Sequence, residues 1–306
     1  MKTSLRHLRK FAIHQRGFTL VEAVVVMVVT GILAGIMVLF IRRPVQNYTD
    51  AAARAELSDA ADLALRRMAR ELRTALPNSV RLTVNNGVWW LEFIPTISGG
   101  QYLSVEDNTA NGTPLSFIDP VALPFNVIGP MPTLTFSGAA NNYIVIYNLG
   151  PGFANVGADA YSRTNLARVT AAGPRTISYE RYLDGDSAGN GRNPFASPNP
   201  NTSPGQRFQV VTEPVTFRCQ GLANGRGTLT RSVAANFFAA QPTPTAAAGD
   251  LLANNVVACN FSINGFGNQQ AALIGLNLVL GRPDVNGGNA VEIVTLTHQI
   301  HVDNTP

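Results

Sequence analysis

The chain has 306 residues, 45% of them hydrophobic and 14% charged, with a formal net charge of +4 and two cysteines. That apolar share excludes a disordered polyelectrolyte, and one cysteine pair excludes a disulfide-stapled miniprotein. The basic balance is local: residues 1–17 hold Lys2, Arg6, Arg9, Lys10 and Arg16 and no acid, leaving −1 for the remainder, so the charge gives no reason to expect a nucleic-acid partner.

Positive charge on the N-terminal flank of an apolar segment holds that end in the cytoplasm and sends the rest across the membrane. A secretory signal would be cut after its apolar stretch. Here the change of character falls before it, at Gly17. The expectation is a basic leader, residues 1–17, removed from a retained apolar segment that begins at Phe18. Gly17-Phe18-Thr19-Leu20-Val21-Glu22 then sets one carboxylate inside a run that belongs in lipid. A lone acid there costs about 2.5–3.5 kcal/mol on insertion scales, so it is a functional residue by default. An uncleaved signal anchor would need none of the specific positions of Arg-Gly-Phe-Thr-Leu-x-Glu.

Ala23 to Ile41 is apolar apart from Thr30, 19 residues against the roughly 20 that span a bilayer. Gly31 and Gly35 form a GxxxG, a candidate for close helix packing, although glycine is common in membrane helices. Arg42 and Arg43 mark the outer membrane face, so residues 18–43 form the spanning part, and Pro44 is placed to kink the helix there. Over residues 44–76 the apolar pattern becomes one-sided. Leu57, Ala61, Leu65, Met68, Leu72 and Leu76 recur at intervals of 4, 4, 3, 4 and 4, a single stripe on a helix. Asp62–Arg66 and Arg67–Glu71 have i,i+4 spacing. The arginine run suits a solvated or subunit-facing surface better than an anionic ligand. Pro77 ends the helix; from Phe18 to Ala75 it would measure about 87 Å if continuous.

Residues 77–306 read as a β-rich head. Val80–Val84 and Val88–Ile94 around Asn85-Asn86-Gly87 predict a hairpin. Residues 95–142, rich in Pro and Gly, offer only short pieces such as Thr133–Phe136. Strands are expected at Tyr143–Tyr147, Thr176–Tyr182, Gln209–Val211, Val215–Cys219, Thr228–Ser232, Val256–Ile263, Ala271–Leu280 and Val291–Val302. The fold class is α+β, a long N-terminal helix packed on a largely antiparallel sheet, with one core or two subdomains. Asp184–Ser203 and Ala239–Gly249 are expected to be mobile loops. Asp184, Asp186 and Gly189 match calcium-loop positions, but Ala188 and Phe195 stand where ligands are needed, so no EF-hand is expected.

Cys219 and Cys259, both placed outside the cytoplasm, imply one disulfide. His298 and His301 sit three apart in a strand and point to opposite faces, a poor metal pair. There is no nucleophile elbow, no His-Glu-x-x-His and no phosphate-binding glycine loop, so neither an enzyme nor a cofactor is expected.

Arg16 to Glu22 with the apolar run behind it resembles the signal of type IV prepilins and pseudopilins. The resemblance implies cleavage by a prepilin peptidase after Gly17 and N-methylation of Phe18. It also implies that Glu22 meets the terminal ammonium of a neighbouring pilin. Such chains begin in the inner membrane, with the head in the periplasm, and move into a surface filament. Residues 64–81, Val145–Gly150, Leu251–Cys259 and His298–Pro306 resemble the MshO-type minor pilins of the mannose-sensitive haemagglutinin pilus. PilW-type minor pilins and the minor pseudopilin GspJ of type II secretion share this layout. The implied function is a minor pilin in assembly initiation or at the tip, with adhesion as an added role; a secretion pseudopilin and a tip adhesin module remain open, and no surface ligand is identified.

Overall fold

The computed structural model describes residues 17–107, 112–121, 124–134, 141–180, 193–196, 200–244, 249–264, 271–284 and 287–305. The chain divides into two compact units, Met1–Ala52 and Ala53–Pro306. The first holds the apolar part of helix α1 (Leu20–Leu72), with an 18-residue window of mean hydropathy 3.0. Thr30, the polar interruption, donates its hydroxyl to the carbonyls of Val26 (2.6 Å) and Met27 (3.1 Å). A hydroxyl satisfied by its own helix is tolerable in hydrocarbon. Helical structure continues on both sides of Pro44, which withholds one N–H without ending the element.

In the second unit the strands, in chain order, are β1 (Arg81–Asn85), β2 (Val88–Phe93), β3 (Thr96–Tyr102), β4 (Phe125–Ile128), β5 (Tyr143–Val145), β6 (Leu166–Ala172), β7 (Thr176–Tyr179), β8 (Arg207–Val211), β9 (Val215–Gln220), β10 (Gly227–Val233), β11 (Asp250–Asn264), β12 (Ala271–Arg282) and β13 (Val291–Asp303). They build two bodies, a seven-stranded antiparallel sheet in the order β1-β2-β9-β10-β11-β12-β13 and a closed barrel β3-β4-β7-β6-β5-β8. The barrel is an insertion between β2 and β9. The β2–β9 ladder runs to Phe93↔Val215, and the β3–β8 ladder resumes at Thr96↔Val211. Pro95 and Pro214 stand in the gap, where the ladder breaks and the strands change body.

The helix stripe does what its spacing requires. Leu57, Ala61, Leu65, Met68 and Leu72 are buried against Leu91, Phe217, Leu229, Val256, Phe261 and the inward side chains of β12 and β13. Burying each large apolar side chain contributes about 1.5–3 kcal/mol relative to exposure. The helix stops at Leu72, short of the expected Ala75. Thr74 and Ala75 donate to the carbonyls of Glu71 and Leu72, tightening the last turn. Leu76 and Thr96 then donate to Ile94 and Thr74, both at 2.7 Å, so the chain leaves the helix already tied to β2 and β3. Leu76 itself packs in a third cluster with Ile94, Tyr143, Tyr161, Val211 and Phe237, at the junction of sheet and barrel.

The hairpin forms at the expected place, with Asn86 at φ 49° and Gly87 at φ 74° in its turn. The region 95–142 differs from expectation. It contributes two barrel strands, β3 and β4; Thr133 lies in neither, and residues 135–140 lie outside those described. Strand β6 was not foreseen either. The segment after β10, expected to be a mobile loop from Ala239, is a strap across the sheet as far as Pro244. Arg81 donates to the carbonyls of Phe238 and Ala239, Thr83 to the Gln241 side-chain oxygen, the Gln241 amide to the Trp90 carbonyl and Arg218 to the Pro244 carbonyl. Asp184, Asp186 and Gly189 lie outside the described residues.

Cys219 on β9 and Cys259 on β11 form the disulfide, with Cα atoms 6.3 Å apart. Strand β10 separates β9 from β11 elsewhere, so the link requires the two to converge where β10 begins. Glycine makes that possible. A Cβ on Gly227 would lie 2.2 Å from the Gln220 carbonyl oxygen and 2.3 Å from that of Val256. Leu222, just past β9, donates directly to Val256 at 3.1 Å.

Candidate assembly segment

The carboxylate singled out in the sequence sits in the first turn of α1. Its own backbone N–H donates to the Thr19 hydroxyl oxygen at 3.3 Å, and Ala23 N–H donates to the Thr19 carbonyl at 3.1 Å. Thr19 is therefore the cap of the helix, and Thr19-Leu20-Val21-Glu22 is the Ser/Thr-x-x-Glu capping pattern. An acid in that turn also interacts favourably with the positive end of the helix dipole. The sequence reading identified Glu22 and missed its partner. The signal was available in the threonine three residues before the glutamate, directly ahead of an apolar run.

Gly17 lies before the helix and Phe18 beside the cap, 80% exposed. The scissile position proposed from sequence therefore precedes the first helical residue, Leu20, while residues 1–16 of the leader lie outside the described residues. Gly31 and Gly35 have no neighbouring heavy atom within 4 Å of where a Cβ would stand, apart from their own helix and chain neighbours. Both mark bare helix surface within this unit. The remaining sequence-derived site, the cysteine pair, lies in the other unit and is structural.

Three of the four segments that carry the finer resemblance, those holding Asn78, Asn148 and Asn304, meet at the helix exit. Asn78, at φ 60°, donates its N–H to the Asn304 side-chain oxygen at 3.1 Å and its amide to the Asn148 carbonyl at 3.0 Å. The Asn148 amide donates to Pro77 at 2.7 Å, and its oxygen accepts from Ala160 at 3.0 Å. Three asparagines from residues 78, 148 and 304 thereby tie the helix exit, the barrel and the C-terminal tail together. Gly150 completes the site, since a Cβ there would fall 2.2 Å from the Asn78 carbonyl oxygen. Among the described residues, no group of three or more His, Cys, Asp or Glu side chains is arranged to hold a metal ion.

Residues 13–38 match the family model described as the prokaryotic N-terminal methylation motif. No curated protein and no solved structure matches the chain. The motif implies processing by a prepilin peptidase and assembly with other pilins, and the apolar helix fits a membrane anchor. The N-terminal methylation motif thus indicates a type IV pilin-like or pseudopilin protein.

Proposed function

We propose that the chain is a minor type IV pilin, cut after Gly17, methylated on Phe18 and inserted into a filament as a low-copy subunit that primes or tips it. The observation that supports this best is the capped first turn. Thr19 fixes the start of α1, so Glu22 is held one turn from the new terminal amine and presents its carboxylate at a defined height. In lipid that carboxylate has no counter-charge to meet. In a filament, the ammonium of a sister chain neutralises it at one axial stagger only, which makes Glu22 a register device. Gly31 and Gly35 would supply a close-packing face for a neighbouring helix.

The head supports a place at an end rather than along the shaft. A sheet carrying an inserted barrel is bulky for endless helical packing and easily accommodated where one side is free. In this reading the head folds in the periplasm, where the disulfide forms, and reaches the cell surface with the filament. A minor pseudopilin of a secretion machine has the same N-terminal requirements; neighbouring genes, for a pilus or for a secretin and its partners, separate the two.

Processing is tested with Gly17→Ala, which should leave an uncleaved membrane precursor. Intact-mass analysis should find the native product beginning at a methylated Phe18, and an unmodified start at Met1 would refute the reading. Glu22→Ala should be cleaved normally yet recovered from sheared filaments at about a tenth or less of the native amount, given the cost of about 3–5 kcal/mol for breaking such a buried pair. Incorporation at the native level would remove the pairing role.

A further inference from the structure

Strand β13 is the last strand of the seven-stranded sheet and, among the described residues, pairs with β12 alone. It runs 13 residues, Val-Glu-Ile-Val-Thr-Leu-Thr-His-Gln-Ile-His-Val-Asp, with no proline and no lysine. An edge of this length carries a row of backbone N–H and C=O groups without strand partners, and soluble proteins normally blunt such edges with charge, proline or a bulge. Strand β13 has one bulge, at Glu292 near its start, and pairs in regular register with β12 from Ile293 to Asp303. Here the outward-facing positions over most of the strand are Val291, Ile293, Thr295, Thr297 and Gln299, all exposed and none of them charged.

The opposite face of the same strand adds a second, independent feature. Ile300 and Val302 enter the core under α1, whereas His298 borders a cleft of about 360 Å³ between β13 and the helix. Arg66, Ala69, Arg70 and Arg73 line it from the helix, and it reaches the strand itself at Thr297 and Gln299, on either side of His298. The nearby acids are already engaged. Asp62 holds Arg66 at 2.7 Å, and Glu292 is paired with Arg54. Among the described residues, Arg70 and Arg73 form no ion pair. The cleft is therefore a concentration of positive charge opening beside an unpaired strand.

The geometry joins these features. A strand added to β13 would lie about 4.8 Å away, with alternate side chains on the helix side of the sheet. One opposite His298 would stand at the mouth of the arginine cleft, and a carboxylate there would gain charge-assisted, bidentate-capable partners. We propose that β13 is a docking edge for an extended segment of another polypeptide, which continues the sheet and places an aspartate or glutamate among Arg66, Arg70 and Arg73. Main-chain bonds supply the affinity, and the arginine cleft selects the acidic register. This contact does not depend on cleavage at Gly17, so it is measurable on the unprocessed chain.

The probe is a fluorescein-labelled peptide, Thr-Val-Thr-Asp-Thr-Val-Thr, titrated by anisotropy against the full-length protein in detergent. The expected result is saturable binding, about tenfold weaker when the peptide's Asp is replaced by Asn. Methylation of alternate backbone nitrogens in the peptide should abolish binding. Arg70→Glu with Arg73→Glu should weaken the Asp peptide while leaving the Asn peptide unchanged. Equal binding of the methylated peptide would overturn the proposal, since the arginines would then collect anions without strand addition. So would equal binding of the Asp and Asn peptides. Binding of phosphatidylglycerol vesicles through the same arginines, with no peptide binding, would assign the cleft to a lipid headgroup and also overturn it. The peptide comparisons use unaltered protein, so a folding defect in the arginine variant leaves the test intact.

Discussion

Arg81 and Glu92 face each other across the first hairpin, nine-tenths or more buried, with Nη2 2.6 Å from Oε1. The pair is hydrogen-bonded well beyond itself. Thr216 donates to the other carboxylate oxygen at 3.0 Å, the strap carbonyls take the remaining guanidinium bonds, and the guanidinium lies 3.6 Å over the Tyr161 ring. Removing one partner strands the other charge, so Glu92→Ala should cost about 3–5 kcal/mol in urea unfolding. Replacing both by apolar residues should cost less than that single change; a double variant as weak as Glu92→Ala would contradict the argument. Tyr161 donates to Ser79 at 2.9 Å, and its hydroxyl is held well above its ordinary value by burial and then by the Glu92 charge. Burial likewise raises Tyr179, whose hydroxyl lies 3.2 Å from Asn193. In both, the folded state holds the proton more tightly than the unfolded chain. Their contribution is complete below pH about 10 and declines above it, by up to about 1.4 kcal/mol per pH unit for each tyrosine. A urea midpoint that stays level from pH about 9 to about 11 would show that neither residue is coupled to folding, whereas Tyr179→Phe should make the alkaline fall shallower.

At the scale of elements, the helix and the disulfide do the same work from opposite faces of the chain's economy: one adds buried surface, the other limits the unfolded state. Leu65 is fully buried beneath the sheet, so Leu65→Ala should destabilise by about 2–5 kcal/mol, read from the urea midpoint. Replacing both cysteines by alanine should cost about 2–5 kcal/mol, and loss of less than about 1 kcal/mol would mean the unfolded chain is already constrained there. These two elements were also the most legible in the sequence, because a 3.6-residue stripe and a lone cysteine pair each admit few arrangements. The long strands β11, β12 and β13 were legible for the same reason, alternation sustained over many residues. Strand β3 was not. Its centre is Ser98-Gly99-Gly100, which has little strand propensity, and the reason for the glycines is tertiary: a Cβ on Gly100 would meet the Phe208 ring at 2.9 Å. In β6 the run Leu166-Ala167-Arg168-Val169 gives no sustained alternation, and its burial is fixed by closure of the barrel. At the N-terminus, Gly17, Phe18 and Glu22 were readable from local chemistry, whereas the arginine cleft beside β13 joins residues more than two hundred positions apart, which no local pattern announces.

For the whole of the second unit, the question is whether sheet and barrel fold as one. The barrel has its own interior, built on Tyr102, Phe125, Tyr179 and Phe208, with Phe125 edge-on to Phe208 at 5.5 Å. Two separate cores ordinarily permit two transitions. Three features argue for one. Both connections between the bodies are short and hydrogen-bonded, with Thr212 donating to Pro95 across the break. The junction cluster takes side chains from the helix exit, the β2–β3 link and the barrel at once, so neither body can open without exposing Leu76, Ile94 and Val211. The asparagine site at residues 78, 148 and 304 pins the barrel to both ends of the sheet. The two tryptophans, Trp89 and Trp90, lie on β2 and report on the sheet alone, while four of the tyrosines, Tyr102, Tyr143, Tyr147 and Tyr179, lie in or against the barrel. Thermal unfolding followed by tryptophan fluorescence and by tyrosine near-ultraviolet circular dichroism should give coincident midpoints. Val211→Ala, which thins the junction without touching either main core, should lower both together. If the tyrosine signal melts first in the unaltered chain, the barrel is an independent folding unit carried by the sheet, and the junction is a hinge.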